Sequence, residues 1–382
     1  MKRDEAEVSF FAPGAADADK DAPAQVRGDE VKVDVLVLTA VQDELEALLA
    51  LGDQGRGGWS ERRDSRGFRY YQRSLSRERG GTFEVGAAWI GEMGAQSAAI
   101  RGAELLAELD PDCLAMCGIC AGYRKKVSLG DVIVADQLWR YDEGKEEREP
   151  GKEAVFSHAT RTFDLEAAWK MDASFLAKEI DLAELSRERP PSKEAQRRWL
   201  LHAIEAHASG NEPAPAEHEE RRRACPGYTE RLREALMEGS VVRQGRKLAL
   251  TEAGRDWVDE DRTLHPDPLR DEALRIHVGA IATGPSVVED PEIFERLRKI
   301  VRTTIGLEME GTAIGALARR FEKRSIVVKA VQDHADGDKD DAFRAFACRA
   351  SATFLLAFLE KHVEPERRTE PFERRSAIEL RG

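Results

Sequence analysis

Short apolar runs alternate with helical patterns along most of this chain, which predicts an α/β fold with a mostly parallel or mixed sheet. Residues 31–39 are rich in leucine and β-branched side chains, as expected for a strand that is buried on both faces. From residue 277 onward, three further apolar runs are each followed by a helical stretch. The alternation is interrupted between these regions, so we expect one α/β domain that carries an insertion.

Each predicted element follows from its local pattern. Glycine pairs mark turns and proline stops helices, so residues 80–81 separate two strands and Pro111 ends a helix. The segment Gly-Ile-Cys-Ala-Gly at 118–122 is interpreted as a turn where the backbone can approach a ligand closely. We predict strands at 31–39, 68–75, 82–90, 112–117, 131–139, 277–283, 305–309 and 325–331. We predict helices at 43–50, 91–109, 291–301, 310–321 and 342–362.

The strand–helix rhythm breaks over residues 146–276, which we interpret as a mainly helical insertion. Its second half has the order helix, small hairpin, helix, which looks like a winged-helix unit. DNA binding is one interpretation of this unit, and a structural or docking module is the other. Acidic neighbours at 219–220 and 259–261 favour the module and make nucleic acid an unfavoured partner. The main domain is assigned to 31–145 and 277–362, a flexible leader to 1–30 and a charged tail to 363–382.

Composition limits the class of protein. Of the 382 residues 34% are charged, and the net charge of -13 is typical of an acidic soluble protein. No apolar run approaches the ~18–20 residues of a membrane span, and the N-terminus lacks an apolar signal core, so we expect no membrane contact and a cytoplasmic location. The five cysteines are irregularly spaced, and Cys117 and Cys120 are interpreted as small packed residues rather than a redox pair or half a zinc site.

Acidic residues fall at the carboxyl ends of three predicted strands, where open α/β sheets place their ligands. They are Glu44, the pair Glu308 and Glu310, and Asp333. Cleavage of a purine from ribose needs an acid for the departing base, a base that activates water and a group that holds the sugar. Three separated carboxylates can divide these roles. Each also has a purely structural interpretation, as a helix cap, a first-turn carboxylate or a turn residue.

Seven motifs together carry a family resemblance. They are Val-Leu-Val-Leu-Thr-Ala-Val-Gln-Asp-Glu at 35–44, Trp-Ile-Gly-Glu-Met-Gly at 89–94, Cys-Gly-Ile-Cys-Ala-Gly at 117–122, Gly-Asp-Val-Ile-Val-Ala-Asp at 130–136, Ile-Ala-Thr-Gly at 281–284, Leu-Glu-Met-Glu-Gly at 307–311 and Val-Gln-Asp-His-Ala-Asp at 331–336. With these motifs in order, the chain resembles the nucleoside phosphorylase/nucleosidase superfamily, nearest its methylthioadenosine/S-adenosylhomocysteine nucleosidase branch. The resemblance implies a three-layer α/β/α phosphorylase-like fold with a central mixed sheet.

The resemblance also implies roles for individual residues. Glu310 is expected to hydrogen-bond the ribose hydroxyls, with Met309 against the sugar and Glu308 supporting the water site. Asp333 is expected to protonate purine N7, and Glu44 to activate the attacking water. The expected substrate-binding residues are Glu310, Met309, Cys120, Ala121, Gly122, Val287, Val288, Arg124, Lys125 and His334. Relatives often carry a stacking aromatic residue where this chain has Val287.

The nucleophile and the 5′ side of the substrate separate several activities. Phosphorylases of this family bind phosphate through arginines that residues 39–43 and 114–117 lack, so water is the predicted nucleophile. The cations at 124–126 suit a phosphorylated substrate, although a solvated loop explains them equally. The motifs at 117–122, 142–145 and 337–340 look like those of nucleosidase domains in bacterial anti-phage effectors, which can deplete ATP by releasing adenine.

The sequence therefore predicts an N-glycosyl hydrolase that releases the free base from a purine nucleoside or nucleotide. Adenine is the expected base. The alternatives are a housekeeping methylthioadenosine/S-adenosylhomocysteine nucleosidase, a purine nucleoside phosphorylase and a non-catalytic nucleotide-sensing module. The eight histidines lack metal-site spacing, and neither a metal nor a cofactor is expected. By analogy with the family, we expect a homodimer or higher homo-oligomer.

Overall fold

The computed structural model describes residues 33–51, 58–148, 155–245, 247–265, 273–336 and 342–364. The predicted leader at 1–30, the tail beyond residue 364 and the motif at 337–340 lie outside the described residues. The first elements are β1 (Val35–Thr39), α1 (Gln42–Ala50), β2 (Ser60–Arg63), β3 (Arg69–Ser76), β4 (Thr82–Trp89), α2 (Ala95–Leu109), β5 (Cys113–Gly122) and β6 (Val132–Arg140). The middle ones are β7 (Gly144–Glu147), β8 (Val155–His158), β9 (Thr162–Asp164), α3 (Ala167–Glu179), α4 (Ala183–Arg187), α5 (Lys193–Ala208), α6 (Arg221–Ala224), α7 (Tyr228–Met237), β10 (Val241–Gln244), β11 (Lys247–Leu250) and α8 (Glu252–Leu264). The last are β12 (Ile276–Thr283), α9 (Ile293–Ile300), β13 (Thr304–Glu308), α10 (Gly311–Arg320), β14 (Arg324–Asp333) and α11 (Ala342–His362).

One ten-stranded mixed sheet forms the centre of the fold, in the order β13-β12-β6-β14-β5-β1-β4-β3-β2 with β9 paired to β6. Strand β1 runs parallel to β4 and β5, whereas β14 is parallel to β5 and antiparallel to β6. The last residues of β5 also pair with β13, where Ala121 lies beside Leu307. Because β13 is otherwise an edge strand, this pairing curls that part of the sheet back onto β5.

Helices cover both faces of the sheet, because successive strand residues face opposite sides. Val35 and Val37 of β1 pack in one hydrophobic cluster with α1, α3 and α11. Leu36 and Leu38 pack in a second cluster with α2 and α10. The layers are therefore helix, sheet and helix, and the predicted α/β/α fold with a mixed sheet is confirmed.

Helix α11 is long and apolar enough to cross a membrane by length and composition, which the sequence analysis did not anticipate. However, 67% of its apolar window is buried inside the protein. Phe343, Phe354 and Phe358 are at most 1% exposed and pack against the sheet. This burial is typical of a helix at the centre of a globular core.

The structure corrects the expectation for residues 118–122, which are not a turn. They continue β5, which is a strand of ten residues. The segment pairs with β14 on one edge and β13 on the other, so partners distant in sequence bind its backbone. Strand β2 and the β7–β8 hairpin were not predicted, because the residues of β2 and β7 are exposed and lack an apolar alternation.

The segment 146–276 contributes to two separate hydrophobic clusters. Strand β9 pairs with β6, and Trp169 of α3 packs in the same cluster as α11. From α5 to α8, the side chains surround their own cluster, which includes Trp199, Leu200 and Val258. Helix α7, the β10–β11 hairpin and α8 follow one another in this second part. The division of the chain into domains stays a prediction.

Candidate active site

Glu308 and Asp333 are brought together by the last residues of β5. Ala121 pairs with Leu307 of β13 on one edge and with Asp333 of β14 on the other. Glu308 and Asp333 are the last residues of their strands, so both lie beside the same stretch of β5. The hydrogen bonds of Glu44 and Glu310, described next, add two more carboxylates to this end of the sheet.

Glu44 is 1% exposed and is held by backbone amides of two separate segments. One carboxylate oxygen accepts hydrogen bonds from the amides of Ala40 at 2.7 Å and Val41 at 3.1 Å. The other accepts from the amide of Ile119 in β5 at 2.8 Å. An ionised carboxylate offers about four acceptor positions. These three bonds therefore fix the side chain and leave room for one further donor.

Gly118 allows the carboxylate of Glu44 to lie directly on β5. A Cβ atom built on Gly118 would be 2.1 Å from Oε1 of Glu44, which no real contact permits. The glycine that was predicted for a turn is therefore required for a close approach between a strand and a buried side chain.

Glu308 is bonded on both carboxylate oxygens. Oε1 accepts from the hydroxyl of Thr283 at 2.6 Å and from the amide of Gly311 at 2.9 Å. Oε2 accepts from the amides of Glu310 and Gly311, each at 2.8 Å. Glu308 thus fixes the N-terminal turn of α10, and with it the backbone of Glu310.

Glu310 and Lys329 form the charged centre of the site. Lys329 is fully buried, and its Nζ lies 3.5 Å from Glu308 Oε2 and 3.6 Å from Glu310 Oε2. Within the described residues its ammonium has no hydrogen-bond partner. Burial alone would lower the pKa of Lys329, but the negative charges of Glu44, Glu308 and Glu310 outweigh it and raise that pKa.

Burial raises the pKa of Glu310 to about 7, against the opposing effects of the Lys329 charge and a hydrogen bond from the Gly94 amide. That amide donates to Oε1 of Glu310 at 2.7 Å. Gly94 has a φ of 112°, which side-chain-bearing residues rarely adopt. A glycine at this position therefore allows the loop before α2 to point its amide at the carboxylate.

We expect the Glu310→Gln variant to gain stability relative to the wild type as the pH rises from 5 to 8, by about 1–3 kcal/mol at pH 8. A carboxyl group whose folded pKa lies above its unfolded value holds its proton longer in the folded state. Its contribution to stability is therefore lost as the pH rises through about 7. Glutamine stays neutral and can still accept the Gly94 hydrogen bond.

Urea unfolding at pH 5, 6.5 and 8 measures this difference. The matched control is Glu295→Gln, because Glu295 is exposed and its hydrogen bond with Lys125 lowers its pKa. That variant should not gain stability with rising pH. The raised pKa of Glu310 would be contradicted if the free energy of unfolding of the wild type increased relative to that of Glu310→Gln between pH 5 and pH 8.

Asp333 ends β14, and His334 follows it beside Gly122. Asp333 is half-buried, and its Oδ1 accepts a hydrogen bond from the amide of Ala335 at 2.8 Å. Burial lowers the pKa of His334, and the carbonyl of Gly122 lies 2.7 Å from its Nδ1. A carbonyl can only accept, so the neutral ring donates from Nδ1 and keeps Nε2 as an acceptor.

Two of the three predicted cations of the 124–126 loop, Arg124 and Lys125, are paired with carboxylates. Arg124 lies 2.7 Å from Asp336, and Lys125 lies 2.7 Å from Glu295. Both side chains are more than half exposed. Their charges are therefore largely balanced at the surface before any substrate is bound.

The residues expected around the base and sugar differ in exposure. Met309 is half-buried, Val287 is 60% exposed, and Val288 packs against the cluster that contains Leu307. A Cβ atom on Gly284 would lie 2.0 Å from the ring of Tyr141, so this ring covers the start of the 284–288 loop. An aromatic side chain is thus present beside the loop although Val287 is not aromatic.

Three contributors were missed by the sequence analysis. Lys329 interrupts an otherwise apolar strand, and this lone charge in a buried run was the available signal. Thr283 is the last residue of β12 and Gly94 lies in a glycine-rich loop. Their hydrogen bonds to Glu308 and Glu310 depend on segments far apart in sequence, so no local pattern indicated them.

The cysteines of β5 are packed residues. Cys117 and Cys120 are buried free thiols, and burial raises the pKa of both. Within the described residues, no group of histidine, cysteine and acidic side chains has the arrangement of a metal site.

Comparison with known proteins places the chain in a family. A family model described as the Phosphorylase superfamily matches residues 34–361. The ATP nucleosidase Cap17 of Escherichia coli strain KTE188 is 22% identical over 329 residues, which cover 85% of this chain and 51% of that protein. A death domain-containing ATP nucleosidase of Amphimedon queenslandica is 36% identical over 89 residues, 23% of this chain and 17% of that protein. The chain thus spans about half the length, or less, of these curated relatives.

A solved structure has the same fold. The S-adenosylhomocysteine nucleosidase from Streptococcus pyogenes, in complex with 5-methylthiotubericidin, aligns with a TM-score of 0.50 and 17% identity. The alignment covers 86% of this chain and 97% of that one. At this identity the likeness concerns the fold alone. The family model, in contrast, covers most of the chain, which therefore belongs to the Phosphorylase superfamily.

Proposed function

We propose that the protein hydrolyses the N-glycosidic bond of a purine nucleoside or nucleotide and releases the free base. The observation that carries this proposal is the group of carboxylates at the end of β5: Glu308 and Glu310 beside the buried Lys329, Glu44 bound to the Ile119 amide, and Asp333 paired with Ala121. Cleavage develops positive charge on the sugar, which buried carboxylates stabilise. Similarity to Cap17, an ATP nucleosidase, over 85% of the chain supports the same reaction.

In this reaction the carboxylates take different roles. Glu310 accepts hydrogen bonds from the ribose hydroxyls, with Met309 against the sugar. Glu44 accepts a proton from the attacking water through its remaining acceptor position, and that water's oxygen forms the new bond to C1′. Asp333 donates a proton to N7 of the departing purine. Glu308 is a positioning residue, because both its oxygens already hold the turn that carries Glu310.

The base is held between backbone and ring groups. The main chain of Val287 and Val288 offers the donors and acceptors that read a purine edge. Residues 120–122, whose backbone is paired with β13 and β14, form the surface beside the base. Tyr141, which covers the start of the 284–288 loop, supplies the aromatic face that Val287 does not. His334 contacts the substrate through its unprotonated Nε2.

Adenosine triphosphate is the first candidate substrate, because Cap17 is named an ATP nucleosidase. In the reaction ATP and water give adenine and ribose 5′-triphosphate. A 5′-thio nucleoside is the second candidate, favoured by one observation. Arg124 and Lys125 are paired with Asp336 and Glu295, so a 5′-phosphate would have to displace these carboxylates. An anti-phage effector role, a cytoplasmic location and a homodimer belong to the same proposal.

Release of adenine tests the proposal. The protein is incubated with ATP, AMP, adenosine, methylthioadenosine and S-adenosylhomocysteine, with and without phosphate, and the products are separated by chromatography. We expect free adenine from ATP at a rate that phosphate does not change. A phosphate requirement, with ribose 1-phosphate as product, would identify a phosphorylase. If no compound releases adenine, the catalytic proposal is wrong.

A further inference from the structure

We propose that Trp89 is a positioning residue for Glu44, because its indole holds the peptide group whose amide binds that carboxylate. Trp89 is the last residue of β4 and pairs with Thr39, the last residue of β1. Its Nε1 donates a hydrogen bond to the carbonyl oxygen of Ala40 at 3.0 Å. The inference rests on the proposed function, in which Glu44 accepts a proton from the attacking water.

The hydrogen bond from the indole acts on Glu44 through one rigid group. The carbonyl of Ala40 and the amide of Val41 belong to the same planar peptide. Its oxygen accepts from Trp89, and its N–H donates to Oε2 of Glu44 at 3.1 Å. A rotation of the peptide plane that turns the N–H away from Glu44 therefore also breaks the bond to the indole. A donor at the carbonyl also polarises the peptide, which strengthens its N–H as a donor by about 10–30%.

The preceding peptide, between Thr39 and Ala40, shows why a side chain is needed. Its oxygen accepts from the backbone amide of Ile90 at 3.0 Å, and its N–H donates to Oε2 of Glu44 at 2.7 Å. Any residue except proline at position 90 could supply that amide. Because β1 and β4 end at Thr39 and Trp89, the next peptide requires a donor from a side chain. An indole suits this position, since it donates and cannot accept.

The exposure of Trp89 favours this role over a role in the core. Its side chain belongs to a residue that is 39% exposed, whereas Trp139 is fully buried and Ala40 is only 4% exposed. The indole therefore reaches from the surface to a buried carbonyl. A buried carbonyl without a donor costs free energy, so loss of the indole N–H favours a rotated peptide that finds another donor.

Adenine release by variants that lack the indole N–H tests the proposal. Replacing Trp89 by 3-benzothienylalanine substitutes sulfur for the N–H in a ring of nearly the same shape, and Trp89→Phe removes the donor together with part of the ring. The matched control is Trp59→Phe, because the indole nitrogen of Trp59 has no hydrogen-bond partner within the described residues. Rates are measured with the adenine compound that the wild type cleaves fastest.

Both Trp89 variants should lower kcat and leave KM nearly unchanged. A displacement of about 1 Å can cost about 10²-fold in rate, and Glu44 keeps its bonds from the amides of Ala40 and Ile119. We therefore expect kcat to fall by about fivefold to thirtyfold, with KM within about threefold of the wild type. Trp59→Phe should stay within about twofold of the wild type in both constants. Thermal unfolding checks that the variants are folded.

The amide proton of Val41 gives a test that does not depend on activity. In NMR spectra of the deuterated full chain, the benzothienylalanine variant should move this proton to lower chemical shift, because its peptide is less polarised. The change should be at least about three times that of the Gly311 amide proton, which donates to Glu308 and has no link to Trp89. The benzothienyl ring is also aromatic, so its effect on nearby shifts resembles that of the indole.

The outcomes separate this inference from the proposed function. An unchanged kcat in the benzothienylalanine variant, or a loss in Trp89→Phe alone, would overturn the role of the indole N–H. A rise in KM at constant kcat would also overturn it, since Trp89 would then act in substrate binding. If the wild type releases no adenine from any compound, the proposed function fails and the Val41 amide decides the inference. An unchanged Val41 shift overturns it whatever the activity.

Discussion

Replacing Asp333 by asparagine is expected to lower kcat for adenine release by about 10²–10⁴-fold, the usual contribution of a general acid. Asparagine retains an oxygen that can accept the hydrogen bond from the Ala335 amide, so the end of β14 keeps its conformation. The amide cannot donate a proton as an acid does. The affinity for the nucleotide should therefore change by less than about fivefold while the chemical step slows.

A substrate that needs no protonation gives the sharpest control for Asp333. A purine nucleoside methylated at N7 already carries the positive charge that the acid would supply. The Asp333→Asn variant should cleave it at a rate within about tenfold of the wild type. The assigned acid role is wrong if Asp333→Asn lowers kcat for the methylated and the unmodified substrate to the same extent. It is also wrong if the variant cleaves unmodified adenosine compounds at the wild-type rate.

Replacing Lys329 by methionine is expected to reduce the free energy of unfolding by about 3–5 kcal/mol at pH 8. Methionine fills a similar volume but removes the buried ammonium that interacts with the charges of Glu44, Glu308 and Glu310. Protonation of Glu310 relieves part of this repulsion, because its pKa of about 7 would rise further. The loss should therefore be smaller at pH 5.5 than at pH 8, as measured by urea unfolding.

Two further variants separate charge from packing at Lys329. Lys329→Arg keeps the positive charge and should retain more stability than Lys329→Met. The double variant Lys329→Met/Glu310→Gln should gain over Lys329→Met at least about 1 kcal/mol more than Glu310→Gln gains over the wild type, because the Glu310 charge is less favourable without the ammonium beside it. Additive effects of the two substitutions would mean that the two side chains do not interact.

Much of this fold could be predicted from the sequence because its strands are buried on both faces. The runs at β1, β12, β13 and β14 contain the apolar residues that such strands require. Strands β12, β13 and β14 each begin within one residue of the predicted start, whereas β1 begins at Val35, four residues later than predicted. The same logic identified the ends of β13 and β14, which carry Glu308 and Asp333, and the helix start after β1, which carries Glu44. Exposed strands such as β2 were missed, since their side chains carry no hydrophobic pattern.

The sequence by itself determined the fold class, the family resemblance and the carboxylates at the strand ends, because these depend on local patterns and on the order of short motifs. Only the tertiary structure decided what each group contacts. Gly118 lies under Glu44 in the middle of a strand, Lys329 lies between Glu308 and Glu310, and Arg124 is paired with Asp336. The physical reason is that burial and charge partners determine the pKa and availability of a side chain. Those partners come from segments that lie far apart in the chain.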